Sequence, residues 1–197
     1  VYGGTLYASG CASLEIEDCT FTGSWINSYH SPAGYAMTFG HGGTMYLTGG
    51  SQNVAIRRTT VVDCGYRAAA KSYDSGTITL ASGNLALENV LVRGIKGNGL
   101  ELRGGTLNAT NSMVIGASSF GIEQSAGTAT LVNSIVRGCT IAAFSTVGGT
   151  VAATYCVLQN EMEGEGNMTS NPLFRDEAAG DFTVPWYSPL VDRGADV

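Results

Sequence analysis

Both histidines of the chain, His30 and His41, fall in one stretch, about 24–43, that also holds Trp25, Tyr29, Tyr35 and Phe39. A second stretch, about 65–75, brings Tyr66, Arg67, Lys71, Tyr73 and Asp74. Aromatic rings beside hydrogen-bonding and charged groups suit carbohydrate, because sugar rings have apolar faces and a rim of hydroxyls. On that reading Trp25, Tyr35, Tyr66, Arg67 and Tyr73 contact the ligand. The covalent step these residue types support is removal of the proton beside a sugar carboxylate. Tyr29, His30, His41 or Lys71 would be the base, and Arg67 and Lys71 would face the carboxylate. The plainer alternative is that the aromatics pack two long loops and the charges face water. Glycoside hydrolysis needs two carboxylic acids about 5 to 10 Å apart, and these stretches are thin in acids.

What must position these residues is a repeat. Leu87-Glu88-Asn89-Val90-Leu91-Val92-Arg93-Gly94 recurs 22 residues later as Ala109 to Gly116, again as Leu131 to Gly138, and as a fourth copy from Ala153 to Asn160. At the same shift Gly83, Gly105, Gly127 and Gly149 align, as do Ile78, Leu100, Ile122 and Phe144. Two earlier copies, Leu14 to Phe21 and Val54 to Val61, stand at wider intervals, so extra chain enters between the first coils. A 22-residue unit is too short for paired helices and lacks the leucine-asparagine pattern of leucine-rich repeats. Apolar alternation at Leu85, Leu87, Val90 and Val92 indicates strands with a tight bend at Asn89, a residue that tolerates left-handed backbone angles.

The expected fold is all-β, a parallel β-helix of about six coils rising about 4.8 Å each, roughly 30 Å in all. Asn89, Asn111 and Asn133 should form a three-rung ladder at the bend, with Asp18 in the same column and Arg58 and Tyr155 departing from it. The interior should hold like residues in columns: Ile16, Ile56, Leu87, Ala109, Leu131, Ala153; Phe21, Val61, Val92, Val114, Val136, Leu158; and the small set Cys19, Thr59, Val90, Ser112, Ser134, Cys156. No coil buries its apolar face alone, so stability comes from stacking. Coils occupy 1–160, with insertions near 24–43 and 65–75, and 161–197 is a capping segment in which Phe174, Phe182, Trp186 and Leu190 cover the last coil. The alternative for Trp186-Tyr187 is a binding site.

Composition narrows the function classes. A 44% apolar, 13% charged chain packs a core despite 28 glycines. A net charge of −6 with ten Lys and Arg leaves no basic stripe for nucleic acid. There is no apolar run of transmembrane length. Five scattered cysteines without a CxxC pair argue against zinc and for buried thiols, and no cofactor is expected. Glu161, Glu163 and Glu165 read as a solvated acidic turn rather than a calcium loop. The abrupt opening Val1-Tyr2-Gly3-Gly4-Thr5, already strand-like, leads us to expect further chain upstream.

The ending Asn171-Pro172-Leu173-Phe174, Gly180-Asp181-Phe182, Ser188-Pro189-Leu190-Val191-Asp192-Arg193-Gly194, together with the coils, resembles the bacterial secreted and cell-surface right-handed parallel β-helix repeat proteins. That resemblance implies an extracellular or cell-surface location and association with polysaccharides or surface anchoring; the expected partner is a polysaccharide, or a second copy through self-association along the rod. It implies no particular reaction, since the group includes lyases, hydrolases, epimerases and adhesins. The string Gly40-His41-Gly42 is similar to a motif of β-helical pectin-cleaving hydrolases, but their aspartate-bearing motifs are missing, so that assignment is set aside. The expected function is a surface module for adhesion, assembly or glycan binding; the alternative is a polysaccharide-active enzyme, a lyase acting on an acidic polysaccharide.

Overall fold

A computed structural model describes residues 4–26, 42–50, 52–66 and 76–197. Among these the regular elements are all strands. The chain winds through three parallel sheets of six strands, one strand per coil in each. The first sheet stacks Leu6–Ser9, Met45–Thr48, Gly76–Leu80, Asn98–Leu102, Phe120–Gln124 and Ala142–Thr146. The second runs from Ser13–Glu17 through Asn53–Arg57, Asn84–Glu88, Thr106–Thr110 and Thr128–Val132 to Thr150–Thr154. The third, of two- and three-residue strands, runs from Thr20–Thr22 through Leu91–Arg93 to Val157–Leu158.

The bend between the second and third sheets is drawn by the backbone. Asp18, Arg58, Asn89, Asn111, Asn133 and Tyr155 all have φ between 45° and 55°, so the two positions expected to depart from the ladder keep its geometry. The first five N–H groups bond to a carbonyl of the next coil, as Asn89 N does to Thr110 O at 3.1 Å, and Tyr155 N on the last coil bonds to Glu165 O at 2.7 Å. Asparagine makes this conformation less costly than arginine or tyrosine do. At the bend from first sheet to second, Gly105 has φ +80°, and a Cβ there would lie 2.1 Å from the carbonyl oxygen of Gly83. Only glycine fits that stack.

The interior columns are those expected. Ile16, Ile56, Leu87, Ala109, Leu131 and Ala153 are paired rung to rung in the second sheet, and Phe21, Val61, Val92, Val114, Val136 and Leu158 in the third. The small-residue column does more than fill space. Val90 N donates to Ser112 Oγ at 3.1 Å, Ser112 N to Ser134 Oγ at 3.2 Å and Ser134 N to Cys156 Sγ at 3.4 Å. Each of these side chains in turn donates to the carbonyl two residues back. The column is therefore a polar ladder that satisfies backbone N–H groups at a bend where the sheet bonds stop. All five cysteines are free; burial raises the Cys139 and Cys156 thiols above their ordinary value and keeps them protonated.

The end of the stack is closed by amides rather than rings. Asn160 Oδ1 accepts from Ala143 N, Gln159 bonds both N and O of Cys139, and Asn167 bonds Cys156 N and Ala153 O. Residues 171–195 then lie along the side of the rod. Arg137 Nη1 donates to Asn171 Oδ1, Gly180 lies against the Arg93 guanidinium, and Ala195 and Asn133 bond in both directions at 2.8 Å. This strap accompanies burial of Ile115 (4% exposed) and Val157 (5%), on the outward positions of the third sheet. Trp186, expected to help cover the last coil, is 86% exposed instead. The exposed strand edges need backbone partners, which carboxamides supply and an indole ring cannot supply in both senses.

Candidate functional site at the first sheet

The two insertions share one base. Trp25–Ile26 pairs in parallel with Gly65–Tyr66, so the two insertions begin side by side on consecutive coils. It returns side by side as well, with Gly43 N on Gly76 O at 2.9 Å and Thr44 N on Thr77 O at 2.8 Å. Glycine is needed here for close approach: a Cβ on Gly43 would lie 2.8 Å from the Cα of Gly65, and one on Gly76 would lie 2.5 Å from Glu101 N. On the following coil Gly94 to Gly97 make this corner without an insertion, and Lys96 bridges to Gly65. Lys96 Nζ lies 5.6 Å from the centroid of the half-buried Trp25 ring, within cation–π range.

Of the residues singled out in the sequence, Trp25 stands at this mouth and Tyr66 is in the departing strand pair. Tyr29, His30, Tyr35, His41, Arg67, Lys71 and Tyr73 lie outside the described residues. The acids that seemed scarce come from the regular coils. The chain re-enters the first sheet beside the mouth, and one outward column of that sheet reads Tyr7, Tyr46, Thr79, Glu101, Glu123 and Ser145, in register across six strands. The Tyr7 and Tyr46 rings are stacked, 5.9 Å between centroids and 5° from parallel. Glu101 is only 6% exposed. Its Oε2 accepts from Gly76 N at 3.1 Å and from Thr79 Oγ1 at 2.9 Å, and its Oε1 from Arg103 Nε at 2.6 Å. Half-buried Glu123 accepts from Asn98 Nδ2 at 2.5 Å, and Asn98 Oδ1 accepts from Phe120 N.

Glu101 thus ties the point where the second insertion returns to the middle of the sheet, since Gly76 is the first described residue after it. The same glycine bonds the end of the first insertion through Gly43. Burial is unusually complete around this point: Thr44, Thr77 and Thr79 are at most 1% exposed, as is Asn98. A signal for this column was present in the sequence. Glu101, Glu123 and Ser145 each follow an aligned inward residue, Leu100, Ile122 or Phe144, and alternation puts the next side chain outside. Chemically, the column offers aromatic surface at one end and the half-buried Glu123 carboxylate further along, while Glu101 is buried and bonded through both oxygens. Among the described residues no three His, Cys, Asp or Glu side chains converge as a metal ion would require, and Glu165 takes the Tyr155 hydroxyl at 2.6 Å.

This arrangement of coils is that of a parallel β-helix module. Residues 1–160 match the family model described as right handed beta helix region, and the chain belongs to that family. No curated protein and no solved structure matches the chain. No helix among the described residues is long and apolar enough to cross a membrane.

Proposed function

We propose that this chain is an extracellular or cell-surface β-helix module that binds glycan along the outer face of its first sheet, beside the common base of the two insertions. The observation that carries this reading is the shared column: stacked Tyr7 and Tyr46 rings continue directly into the polar rungs Thr79, Glu101, Glu123 and Ser145. A sugar chain lying along it would meet ring faces at one end and the half-buried Glu123 and Ser145 at the other, over the buried Thr79 and Glu101. Trp25 with Lys96 forms the second edge of the surface. In the assigned roles Trp25, Tyr35, Tyr66, Arg67 and Tyr73 contact the saccharide. Trp25→Ala and Tyr46→Ala should each weaken binding about tenfold in affinity electrophoresis against soluble polysaccharides, at unchanged strand circular dichroism. Undiminished retardation of both variants would remove the reading.

A lyase acting on an acidic polysaccharide is the second reading. Lys96 favours it, as an exposed cation at the mouth able to face a sugar carboxylate. Tyr29, His30, His41 or Lys71 would then take the proton. Such an enzyme releases unsaturated products with new ultraviolet absorbance, and silence on a panel of acidic polysaccharides would reject it.

A further inference from the structure

The strap carries two aromatic pairs of different character. Phe174 and Phe182 meet edge to face, 5.0 Å apart, and both are half-buried. Trp186 and Tyr187 also meet edge to face, at 5.5 Å and 88°, yet they are 86% and 62% exposed. The first pair packs; the second projects. The turn that presents the second pair is fixed rather than loose. Ser188, 6% exposed, donates from Oγ to Pro172 O at 2.6 Å and from N to Pro185 O at 2.9 Å, and its Oγ accepts from Leu190 N at 3.2 Å. Leu190 in turn lines a hollow with Ile135 and Val157 of the rod. An indole this exposed contributes little burial to folding, so its rigid display is not explained by stability.

We infer that Trp186 and Tyr187 form a second saccharide-contact site, on the strap against the third sheet, for a neutral glycan chain. Two arguments select that occupant. Aromatic side chains bury roughly 150–250 Å² each, so the pair cannot supply the about 800 Å² per partner of a standard protein interface, and it fits one or two sugar rings instead. The five residues Pro185-Trp186-Tyr187-Ser188-Pro189 also carry no charge, so no acidic or basic group is matched here. Rings at right angles offer one face for stacking and a second ring to flank the sugar, and the fixed turn lowers the ordering cost of binding. The inference does not depend on the first-sheet reading.

The two tryptophans of the chain, Trp25 and Trp186, make the test direct. In the Trp25→Phe variant Trp186 is the sole indole, and titration with soluble β-glucan, xylan or galactomannan should shift and quench its fluorescence. In affinity electrophoresis on the same polymers the full chain should be retarded. Trp186→Ala should weaken that retardation about tenfold and Tyr187→Ala several-fold, with an unchanged melting temperature. Unchanged Trp186 fluorescence at saturating polymer, or undiminished retardation of Trp186→Ala, overturns the inference. So does a wild-type dimer in size-exclusion chromatography with light scattering that Trp186→Ala converts to monomer, because the pair would then serve a second copy. If Trp25→Ala loses binding to one polymer while Trp186→Ala loses it to another, the two sites are separate and both stand.

Discussion

Ser134 shows how much one small side chain carries in this rod. Its hydroxyl accepts from Ser112 N and donates to Val132 O, inside a column that reads as simple packing. Ser134→Ala leaves a buried N–H without its partner and should cost about 1–3 kcal/mol by chemical denaturation. Ser134→Cys should cost less, since Cys156 already fills the same role on the next coil. Charge acts differently at the exposed bend, where Arg58 holds Asp18 and both arginines hold Glu17. Hydrogen bonds from Arg57 and then Arg58 lower Glu17 below 4.5, and one from Arg58 lowers Asp18 below 3.8. A depressed folded-state carboxylate stabilises above its unfolded pKa and loses that contribution as pH falls through the folded value. The gap in melting temperature between wild type and Arg58→Ala should therefore be level near neutrality and close in acid. A gap unchanged across the acid range would contradict the pairing.

At the scale of the element, the corner between third and first sheets carries the feet of both insertions. Gly43, Gly65 and Gly76 bring the feet of both insertions into backbone contact, and Glu101 fastens them to the sheet. Glu101→Ala removes a nearly buried acceptor from Gly76 N, Thr79 and Arg103 at once. A loss of about 1–3 kcal/mol is expected, since the buried Gly76 N loses its acceptor. Glycan affinity should fall with it even under conditions where the variant remains folded, as read by affinity electrophoresis beside circular dichroism. A folded variant that binds as wild type would separate the lock from the site.

The whole molecule is a one-dimensional stack with different protection at its side and its end. Amides of Gln159, Asn160 and Asn167 close the last coil, while residues 171–195 lie along the third sheet, where Ile115 and Val157 are buried. Truncation after residue 170 should leave strand circular dichroism largely intact but expose these side chains, each contributing roughly 1.5–3 kcal/mol when buried. A lower unfolding midpoint and increased binding of a hydrophobic dye would show it; an unchanged midpoint would deny the strap a structural role.

From its sequence the chain determined its coils, because a 22-residue shift aligns Leu87, Ala109, Leu131 and Ala153 and nearest-neighbour stacking makes like residues meet. The interior columns and the bend at Asn89, Asn111 and Asn133 were legible for the same reason. The site was only partly legible: Trp25 and the insertions stood out as departures from the repeat, whereas Glu101, Glu123, Tyr7 and Tyr46 lay inside it and looked like ordinary rungs. Their common column exists only once six strands are in register, since Tyr7 and Tyr46 are 39 residues apart in sequence and adjacent in the sheet. Tertiary structure also decided the course of the tail. A run with Phe174, Phe182, Trp186 and Leu190 declares that rings are present, but which of them pack depends on where Ser188 and Asn133 anchor the chain, and those partners are distant in sequence.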